Sequence, residues 1–511
     1  MTVDTSESPP NLARVLEVRP EVIGTMAEPP GWLDEALRSV PEWRRRDFPF
    51  YIPVTADGLI CRPVVEWARA FRSRHTASSY ASDVAAFFCF LGPGVDWLML
   101  DREGINSYIE WRLYATPVRR HGGVQLGVDP RTMARNLTAL RGLYDVAVGM
   151  KLVAGNPVPP GVINATRGQL RSDANWLTRR AYQRWRYEGL LGLGAEREDL
   201  LVMRERNAAF ADLLYHTGMR RAEGAGLLTL EIPSAKFTPH LVRGRVPASL
   251  AKGSPQRGRI FYLDRRVLQT LETYISGARE VEVAFGKASG IYEHDPDPLI
   301  IKRMERLGGI VSRVLVERPA KGESGWRSLD KLTRAERTRS YALDAHGARN
   351  PLALWLAHGG LPLSDQAWNG IFRAASRRTA KDPGFIPENG LLIEDDTRIN
   401  VHPHMLRHSF ALYVFALGAR MELGGGFTRR TFNRLVREQN IWLRVQNLLG
   451  HASLETTRTH YLAPVLALEW EWFLTAANDA PMVIDEALSA LSAGDDRVID
   501  AAGVDVAHGD Y

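Results

Sequence analysis

The chain has 511 residues, of which 45% are hydrophobic and 24% are charged. At about 150 residues per domain, this length predicts two to four domains and a sizeable core. The sequence has no run of about 18 apolar residues, which excludes a predicted membrane-spanning helix. Its first residues lack a basic segment followed by an apolar one, so no secretory signal is expected. Cys61 and Cys89 are the only cysteines, and their spacing is typical of neither a disulfide framework nor a metal site, which favours a reducing compartment.

The net charge of +6 is distributed unevenly. Residues 469–511 hold ten acidic residues and one arginine, a net charge of −9, so the rest of the chain carries +15. A basic body with an acidic tail predicts a polyanionic partner, most simply nucleic acid. Arginines that only solvate helix faces explain the same composition equally well.

The sequence divides into four predicted segments: an N-terminal extension at 1–55, a small helical domain at 56–160, a larger domain at 172–470 and an acidic tail at 471–511. In the small domain, apolar spacings of three and four predict a helix after Thr76 that ends at Gly92, a second helix near 105–114 and a third at 130–150. Asp129 is the expected N-cap of the third helix, with Pro130 at its first position.

The larger domain is predicted to be mainly helical, with a β-hairpin over residues 243–263 whose turn is the segment KGSPQRG. Helices are expected at 204–214, after Ser364, at 404–418 and at 428–449. Residues 302–339 hold eleven basic and five acidic residues, which predicts an insertion or a long surface loop, and 420–440 is a second predicted insertion. The expected fold class is therefore mainly α with a small β-hairpin or sheet.

Arginines alternate with aromatic residues between Arg167 and Tyr187. Guanidinium groups beside aromatic rings suit contact with phosphates and bases, although an amphipathic helix explains the aromatic residues at least as well. This stretch and the helix at 130–150 provide the candidate DNA contacts, which are Arg131, Arg135, Arg141, Arg179 and Arg180.

The segment HPHMLRHSFALYVFALG, residues 402–418, is the densest group of chemically active side chains. On a helix, His404, Arg407 and His408 share a face, while Leu406, Phe410 and Tyr413 are expected to pack on another. The spacing of the two histidines is compatible with zinc, but the remaining ligands are missing and Arg407 stands between them. We therefore predict an anion site and no metal.

Three further groups stand out in the larger domain. In HTGMRRAEGAGL, Gly218 suits a tight turn, and Arg220 and Glu223 are spaced for an i, i+3 ion pair. In LLGHASLETTRTHYLAP, Gly450 is an expected helix C-cap and Ser453 an expected N-cap, with His451 and Tyr461 nearby. Positive neighbours would favour the phenolate form of a tyrosine, whose pKa is about 10 in water.

These groups, in this order, resemble the signature of the tyrosine recombinase (phage integrase) family. The family shows a T-G-x-R turn, a lysine in a β-hairpin, an H-x-x-R helix, an L-G-H turn and a nucleophilic tyrosine. The matching residues are Thr217–Arg220, Lys252, His404–His408, Leu449–His451 and Tyr461. Tyr461 follows His451 at a spacing one residue longer than the family usually shows, and the segment between Arg407 and His451 is longer than usual. The resemblance covers roughly residues 60–465.

The resemblance implies a helical core-binding domain, a catalytic domain and a metal-free phosphoryl transfer that needs no cofactor. Tyr461 is the implied nucleophile and Lys252 the implied general acid. Arg220, Arg407, His404 and His451 are implied donors to the phosphate, and Glu223 and His408 are supporting groups. Double-stranded DNA is the implied partner, with four protomers assembled on it in the cytoplasm at the nucleoid, and accessory DNA-bending proteins would be further partners.

The resemblance implies a site-specific recombinase, such as the integrase or transposase of a mobile element. The alternatives are a nicking-closing enzyme of the topoisomerase IB type, a DNA-binding protein whose catalysis has decayed, and a metal-dependent nuclease. In the tail, residues 482–491 have the spacing of a short amphipathic helix. Such a helix would dock on a neighbouring protomer, fold back on its own domain or fray, and the acidic tail would alternatively occupy the basic DNA cleft.

Overall fold

The computed structural model of the chain divides into two compact units, residues 1–171 and 172–511. The structure describes residues 13–18, 33, 49–120, 123–158, 176–193, 203–233, 241–251, 258–307, 309–379, 400–422, 439–451, 453–455, 457–458 and 498–499. None of the helices within these ranges is both long enough and apolar enough to cross a bilayer.

The first unit is a helical domain with two short antiparallel strand pairs. Its elements are β1 (Val15–Val18), β2 (Phe50–Pro53), α1 (Arg62–Arg69), α2 (Arg74–Leu91), α3 (Arg102–Glu110), β3 (Pro117–Arg120), β4 (Gly123–Leu126) and α4 (Pro130–Gly149). The Asp129 carboxylate accepts the N–H of Arg131 at 2.7 Å, so Asp129 caps α4 as predicted. Helix α2 ends at Gly92, also as predicted, where a backbone φ of +73° favours glycine.

The core of the first unit is formed by the apolar faces of α2 and α4. Phe87 of α2 and Leu137, Leu140 and Tyr144 of α4 are fully buried in it. The Tyr144 hydroxyl donates to the Trp97 carbonyl at 2.7 Å, which satisfies its only polar group in the core. The spacings of three and four that predicted these helices are therefore the spacings of the buried face.

The second unit is mainly helical and contains one larger sheet. Its elements are β5 (Trp176–Leu177), α5 (Arg179–Arg184), α6 (Arg204–Thr217), α7 (Arg221–Ala225), β6 (Leu241–Val246), β7 (Arg259–Asp264), α8 (Arg265–Ser276), α9 (Ala278–Ala288), β8 (Leu299–Leu307), β9 (Ile310–Arg318), β10 (Glu323–Ser328), α10 (Arg334–Thr338), β11 (Ser340–Leu343), β12 (Arg349–Pro351), α11 (Ala367–Thr379), α12 (Pro403–Glu422), α13 (Gln439–Leu449) and β13 (Val498–Ile499). The fold class predicted from the sequence, mainly α with a small sheet, is confirmed.

The predicted β-hairpin is present as β6 and β7, which pair antiparallel from Val246 with Arg259 to Leu241 with Asp264. Its buried face continues into the main core of the second unit through Phe261 and Leu263. The hairpin therefore places the start of β7 against helix α6 and the end of α13, the two helices that lead into the candidate site.

The stretch 302–339 is not a long surface loop, so that alternative was wrong, whereas its interpretation as an insertion stays a prediction. It contributes to a five-stranded sheet with the order β10-β9-β8-β11-β12. In β9, the side chains of Val314 and Val316 are buried, whereas that of Arg313, the residue before Val314, is exposed. This alternation is the period of a strand with one buried face, and the many charges occupy its wet side.

A second correction concerns helix α12, where Tyr413 was expected to pack. Leu406 is fully buried, but the Tyr413 side chain is 53% exposed. Leu412 and Phe415 lie on the inner face instead. The helix is thus buried most deeply in its first turns, where Arg407 and His408 lie, and less deeply toward its C-terminus.

Candidate active site

The T-G-M-R turn forms the centre of the candidate site. Helix α6 ends at Gly218, whose φ is +60° and whose N–H donates to the Leu214 carbonyl at 2.9 Å. A Cβ at this position would lie 2.3 Å from the Phe410 ring and 2.9 Å from the Leu449 side chain. Glycine is therefore required both for the left-handed backbone and for the close approach of α12 and α13.

Arg220 and Glu223 form the ion pair that the spacing predicts. Arg220 Nη1 lies 2.7 Å from Glu223 Oε1, and the Arg220 N–H donates to Oε2 at 3.0 Å. Glu223 is fully buried, whereas the Arg220 side chain is 24% exposed. The carboxylate thus fixes Arg220 from the inside and leaves part of its guanidinium facing solvent.

Arg407 lies beneath this turn and is fully buried. Its Nη1 donates to the Gly218 carbonyl at 2.5 Å and its Nη2 to the Leu449 carbonyl at 2.7 Å. Arg407 is buried whereas His404 is exposed, and the binding of one anion by both side chains stays a prediction. A cation at the carbonyl end of a helix is favourable, so Arg407 also stabilises the end of α13.

The two histidines of α12 contact each other. The rings of His404 and His408 meet edge to face with 4.5 Å between their centroids. His404 is exposed and His408 is buried. Among the described residues, no three His, Cys, Asp or Glu side chains are arranged so that they could hold a metal ion.

The L-G-H turn follows α13 as predicted. Gly450 has a φ of +66° and its N–H donates to the Gln446 carbonyl at 2.8 Å. The His451 N–H donates to the same carbonyl at 3.1 Å, and His451 Nδ1 lies 2.9 Å from the Thr457 hydroxyl. The backbone and the ring of His451 are therefore both held, which orients its second ring nitrogen.

Arg259 was not identified from the sequence as part of the site. It is the first residue of β7, and its Nη2 lies 2.8 Å from Glu223 Oε2, while its Nη1 donates to the Leu448 carbonyl at 2.6 Å. A signal was present in the sequence, because alternation along β7 places Arg259 on the same buried face as Phe261 and Leu263.

Three guanidinium groups therefore surround one buried carboxylate, and the cluster carries a net charge of +2. Burial acts to raise the pKa of Glu223, but the guanidinium groups of the three arginines outweigh it and hold this pKa below its ordinary value of 4.5. Glu223 is thus ionised at neutral pH. The excess positive charge beside a partly exposed Arg220 favours an anion at this position.

The low pKa of Glu223 predicts a specific loss of stability in acid. Below about pH 4.5 the unfolded chain binds a proton at this carboxyl more readily than the folded chain does, so the free energy of unfolding falls as the pH falls. We expect urea midpoints measured from pH 7 to pH 3.5 to show this loss. Glu223→Gln should be less stable at pH 7 by about 3–5 kcal/mol, since it leaves buried arginines uncompensated. It should also lose less stability on acidification, and equal acid dependence of the two proteins would contradict the assignment.

Two of the sequence-predicted catalytic residues, Lys252 and Tyr461, lie outside the described residues, as do residues 423–438 and most of the acidic tail with its predicted helix. The described ends of the hairpin, Ala251 and Gly258, flank the segment that contains Lys252. The proposed roles of Lys252 and Tyr461 stay predictions.

The candidate DNA contacts of α4 serve the fold as well. Arg135 forms two hydrogen bonds of 2.8 Å with the buried Asp83, and Arg141 donates to the Val158 carbonyl. The Arg135 side chain is nevertheless 46% exposed, and Arg131 lies at the surface. Arg135 and Arg141 therefore also tie α4 to its neighbours, and contact of these arginines with DNA stays a prediction.

In the second unit, Arg179 and Arg180 are exposed at the start of α5. Further along the same stretch, Arg186 forms an ion pair of 2.8 Å with Asp212. The Asp212 carboxylate also accepts a hydrogen bond of 2.6 Å from the Tyr182 hydroxyl. The stretch of arginines and aromatic residues thus combines exposed basic groups with a buried polar network.

Comparisons with known proteins agree with this arrangement of motifs. Residues 67–151 match the family model described as the phage integrase N-terminal SAM-like domain. The chain is 24% identical over 252 residues to the tyrosine recombinase XerC of Listeria innocua, covering 48% of this chain and 74% of the relative. It is 29% identical over 266 residues to the tyrosine recombinase XerD of Mycobacterium tuberculosis, covering 50% and 68%.

A solved structure, the XerH site-specific recombinase bound to a palindromic difH substrate in a post-cleavage complex, is similar with a TM-score of 0.45 and 14% identity. That similarity covers 81% of this chain and 85% of the solved one. The sequence relatives and the matched domain agree with the resemblance to the tyrosine recombinase family that the motifs indicate. These relatives support its assignment as an enzyme that cleaves and rejoins DNA strands.

Proposed function

We propose that the protein is a site-specific DNA recombinase that cuts and rejoins DNA through a 3′-phosphotyrosine intermediate. The observation that carries the proposal is the cluster of Arg220, Arg259 and Arg407 around Glu223, with His451 held at the adjoining turn. The cluster is positively charged and partly open at Arg220. A phosphodiester gains negative charge on its oxygens during displacement, and fixed cations stabilise that charge.

In the proposed reaction, the Tyr461 phenolate oxygen attacks the phosphorus and the bond to the 5′-oxygen of DNA breaks, while Lys252 donates a proton to this leaving oxygen. The product is a phosphotyrosine at the 3′ end, so the phosphodiester energy is retained and no ATP is needed for rejoining. Arg220 provides forked hydrogen bonds to the non-bridging oxygens. Arg407 contributes charge to the same phosphate, and His404 and His451 contribute hydrogen-bond donors. Glu223 and His408 orient these groups.

The substrate in this proposal is double-stranded DNA, and recombination between two duplexes requires four protomers on the DNA. We propose that the enzyme acts in the cytoplasm at the nucleoid, as the integrase or transposase of a mobile element, with accessory DNA-bending proteins as further partners. The exposed Arg131, Arg179 and Arg180 are the proposed backbone contacts, since phosphate contacts fix the register of a protein on DNA.

A nicked suicide DNA substrate tests the proposal. Cleavage beside the nick releases a short fragment, which prevents rejoining, so a protein-DNA adduct that survives SDS should accumulate. We expect the same yield of adduct with and without a chelator. Binding without an adduct would support the decayed DNA-binding protein, and cleavage that the chelator abolishes would support a metal-dependent nuclease.

Lys252→Ala separates proton donation from the other steps. Loss of a general acid should slow cleavage of an ordinary phosphodiester by about 100- to 10,000-fold. A substrate with sulfur at the 5′-bridging position should restore the rate, because a thiolate leaves without much protonation. Lys321→Ala is the matched control, because Lys321 is an exposed lysine in the connection between β9 and β10. This variant should behave like the unmodified protein with both substrates. Absence of rescue in Lys252→Ala would remove Lys252 from the role of general acid.

A further inference from the structure

Arg259 connects the two turns that hold Arg220 and His451. We propose that it is a positioning residue, which locks the T-G-M-R turn and the L-G-H turn into one rigid unit so that these two side chains keep a fixed separation during the reaction. This proposal rests on the proposed function for its effect on rate. The connection itself is independent of what the site binds.

The first contact of Arg259 reaches the T-G-M-R turn through Glu223. The two carboxylate oxygens of Glu223 accept hydrogen bonds from different arginines. Oε1 accepts from Arg220 Nη1 at 2.7 Å, whereas Oε2 accepts from Arg259 Nη2 at 2.8 Å. Arg259 Nη2 also lies 3.5 Å from the Gly218 carbonyl. Because Glu223 is held from both sides, its rotamer is fixed, and with it the orientation of Arg220.

The second contact reaches the L-G-H turn. Arg259 Nη1 donates to the Leu448 carbonyl at 2.6 Å, in the last turn of α13, three residues before His451. A Cβ at Gly450 would lie 2.7 Å from Cδ of Arg259. Glycine at this position therefore lets the turn close directly over the arginine side chain.

Arginine is suited to this role because its terminal nitrogens point in different directions from one rigid plane. The base of the side chain is equally fixed, since Arg259 pairs with Val246 in the β-hairpin. The preceding Gly258 leaves no space for a side chain, because a Cβ there would lie 2.3 Å from the Val246 carbonyl oxygen. A lysine has one terminal nitrogen and would reach either Glu223 or Leu448. An arginine and a lysine at position 259 therefore carry the same charge but differ in how many of these two partners they can bind.

The test compares Arg259→Met and Arg259→Lys with Arg337→Met. Arg337 is a matched control because it is also buried and forms two hydrogen bonds of 2.8 Å with one carboxylate, that of Glu231. Single-turnover rate constants on suicide DNA are measured at a temperature at which every variant is folded by circular dichroism. We expect Arg259→Met to lower the rate constant by about 10- to 100-fold, as misplacement of reacting groups does, with unchanged DNA affinity. The rate constant of Arg259→Lys should lie between those of Arg259→Met and the unmodified protein, and Arg337→Met should keep the full rate constant.

Hydrogen exchange provides a readout that does not depend on cleavage. In Arg259→Met, amides of residues 217–224 and 446–451 should exchange faster together, and in Arg337→Met neither segment should change. Unchanged exchange in both segments would overturn the proposed lock, whether or not the protein cleaves DNA. A full rate constant in folded Arg259→Met, or an equal loss in Arg337→Met, would overturn its effect on rate. Failure of the unmodified protein to form an adduct would instead count against the proposed function.

Discussion

Tyr461→Phe is expected to abolish the covalent attachment of the protein to suicide DNA while leaving DNA binding intact. The substitution removes one hydroxyl oxygen, which is the atom that would attack the phosphorus, and keeps the aromatic ring. The adduct is measured on denaturing gels, and DNA affinity is measured in parallel by gel retardation.

Tyr413→Phe is the matched control for this experiment. Tyr413 is a tyrosine of α12 whose side chain is 53% exposed and which has no proposed part in the reaction, so its substitution should leave the adduct unchanged. An SDS-resistant adduct formed by Tyr461→Phe at the normal rate would show that another residue is the nucleophile. The ten-residue separation of His451 and Tyr461 makes this comparison decisive for the placement of the tyrosine.

Substitutions of Arg407 should have the second largest effect. Arg407→Ala removes the two hydrogen bonds to Gly218 and Leu449 and one buried positive charge. We expect cleavage to fall by about 100- to 1000-fold, the range for loss of a donor that stabilises developing charge. Arg407→Lys should fall less, yet not reach the original rate, because one ammonium group does not bridge two carbonyls.

The buried position of Arg407 requires that stability be measured beside the rate. Removing it takes the closer donor from the Gly218 carbonyl and the Arg407 donor from the Leu449 carbonyl, and each group left unsatisfied costs about 1–3 kcal/mol. The rates are therefore compared below the unfolding transition of the least stable variant. Equal rates for the lysine variant and the unmodified protein would show that the fork is unimportant and that Arg407 acts through its charge alone.

Local features of the site could be predicted from the sequence. The turn glycines Gly218 and Gly450, the pair of Arg220 and Glu223 and the cap at Asp129 each depend on residues within a few positions of one another. Their geometry follows from backbone conformation and helix spacing, which the chain specifies locally.

The features that were missed depend on contacts between distant segments. Arg259 meets Glu223 across 36 positions and Leu448 across 189, and no local pattern specifies these partners. Similarly, the inward orientation of Arg407 depends on its hydrogen bonds to the Gly218 and Leu449 carbonyls, which belong to two turns distant in sequence. The sheet at 302–339 was hidden because counting charges ignores their alternation, which in β9 keeps Val314 and Val316 on the buried face.

The most direct test of the central claim is to identify the residue that carries the DNA. After reaction with suicide DNA and nuclease trimming, the adduct is digested with trypsin, which cuts after Arg458 and Arg497. The peptide 459–497 contains a single tyrosine, Tyr461. We expect mass spectrometry to find the 3′-linked nucleotide on that tyrosine in material formed without divalent metal. Attachment to any other residue, or cleavage with no attached nucleotide, would contradict it.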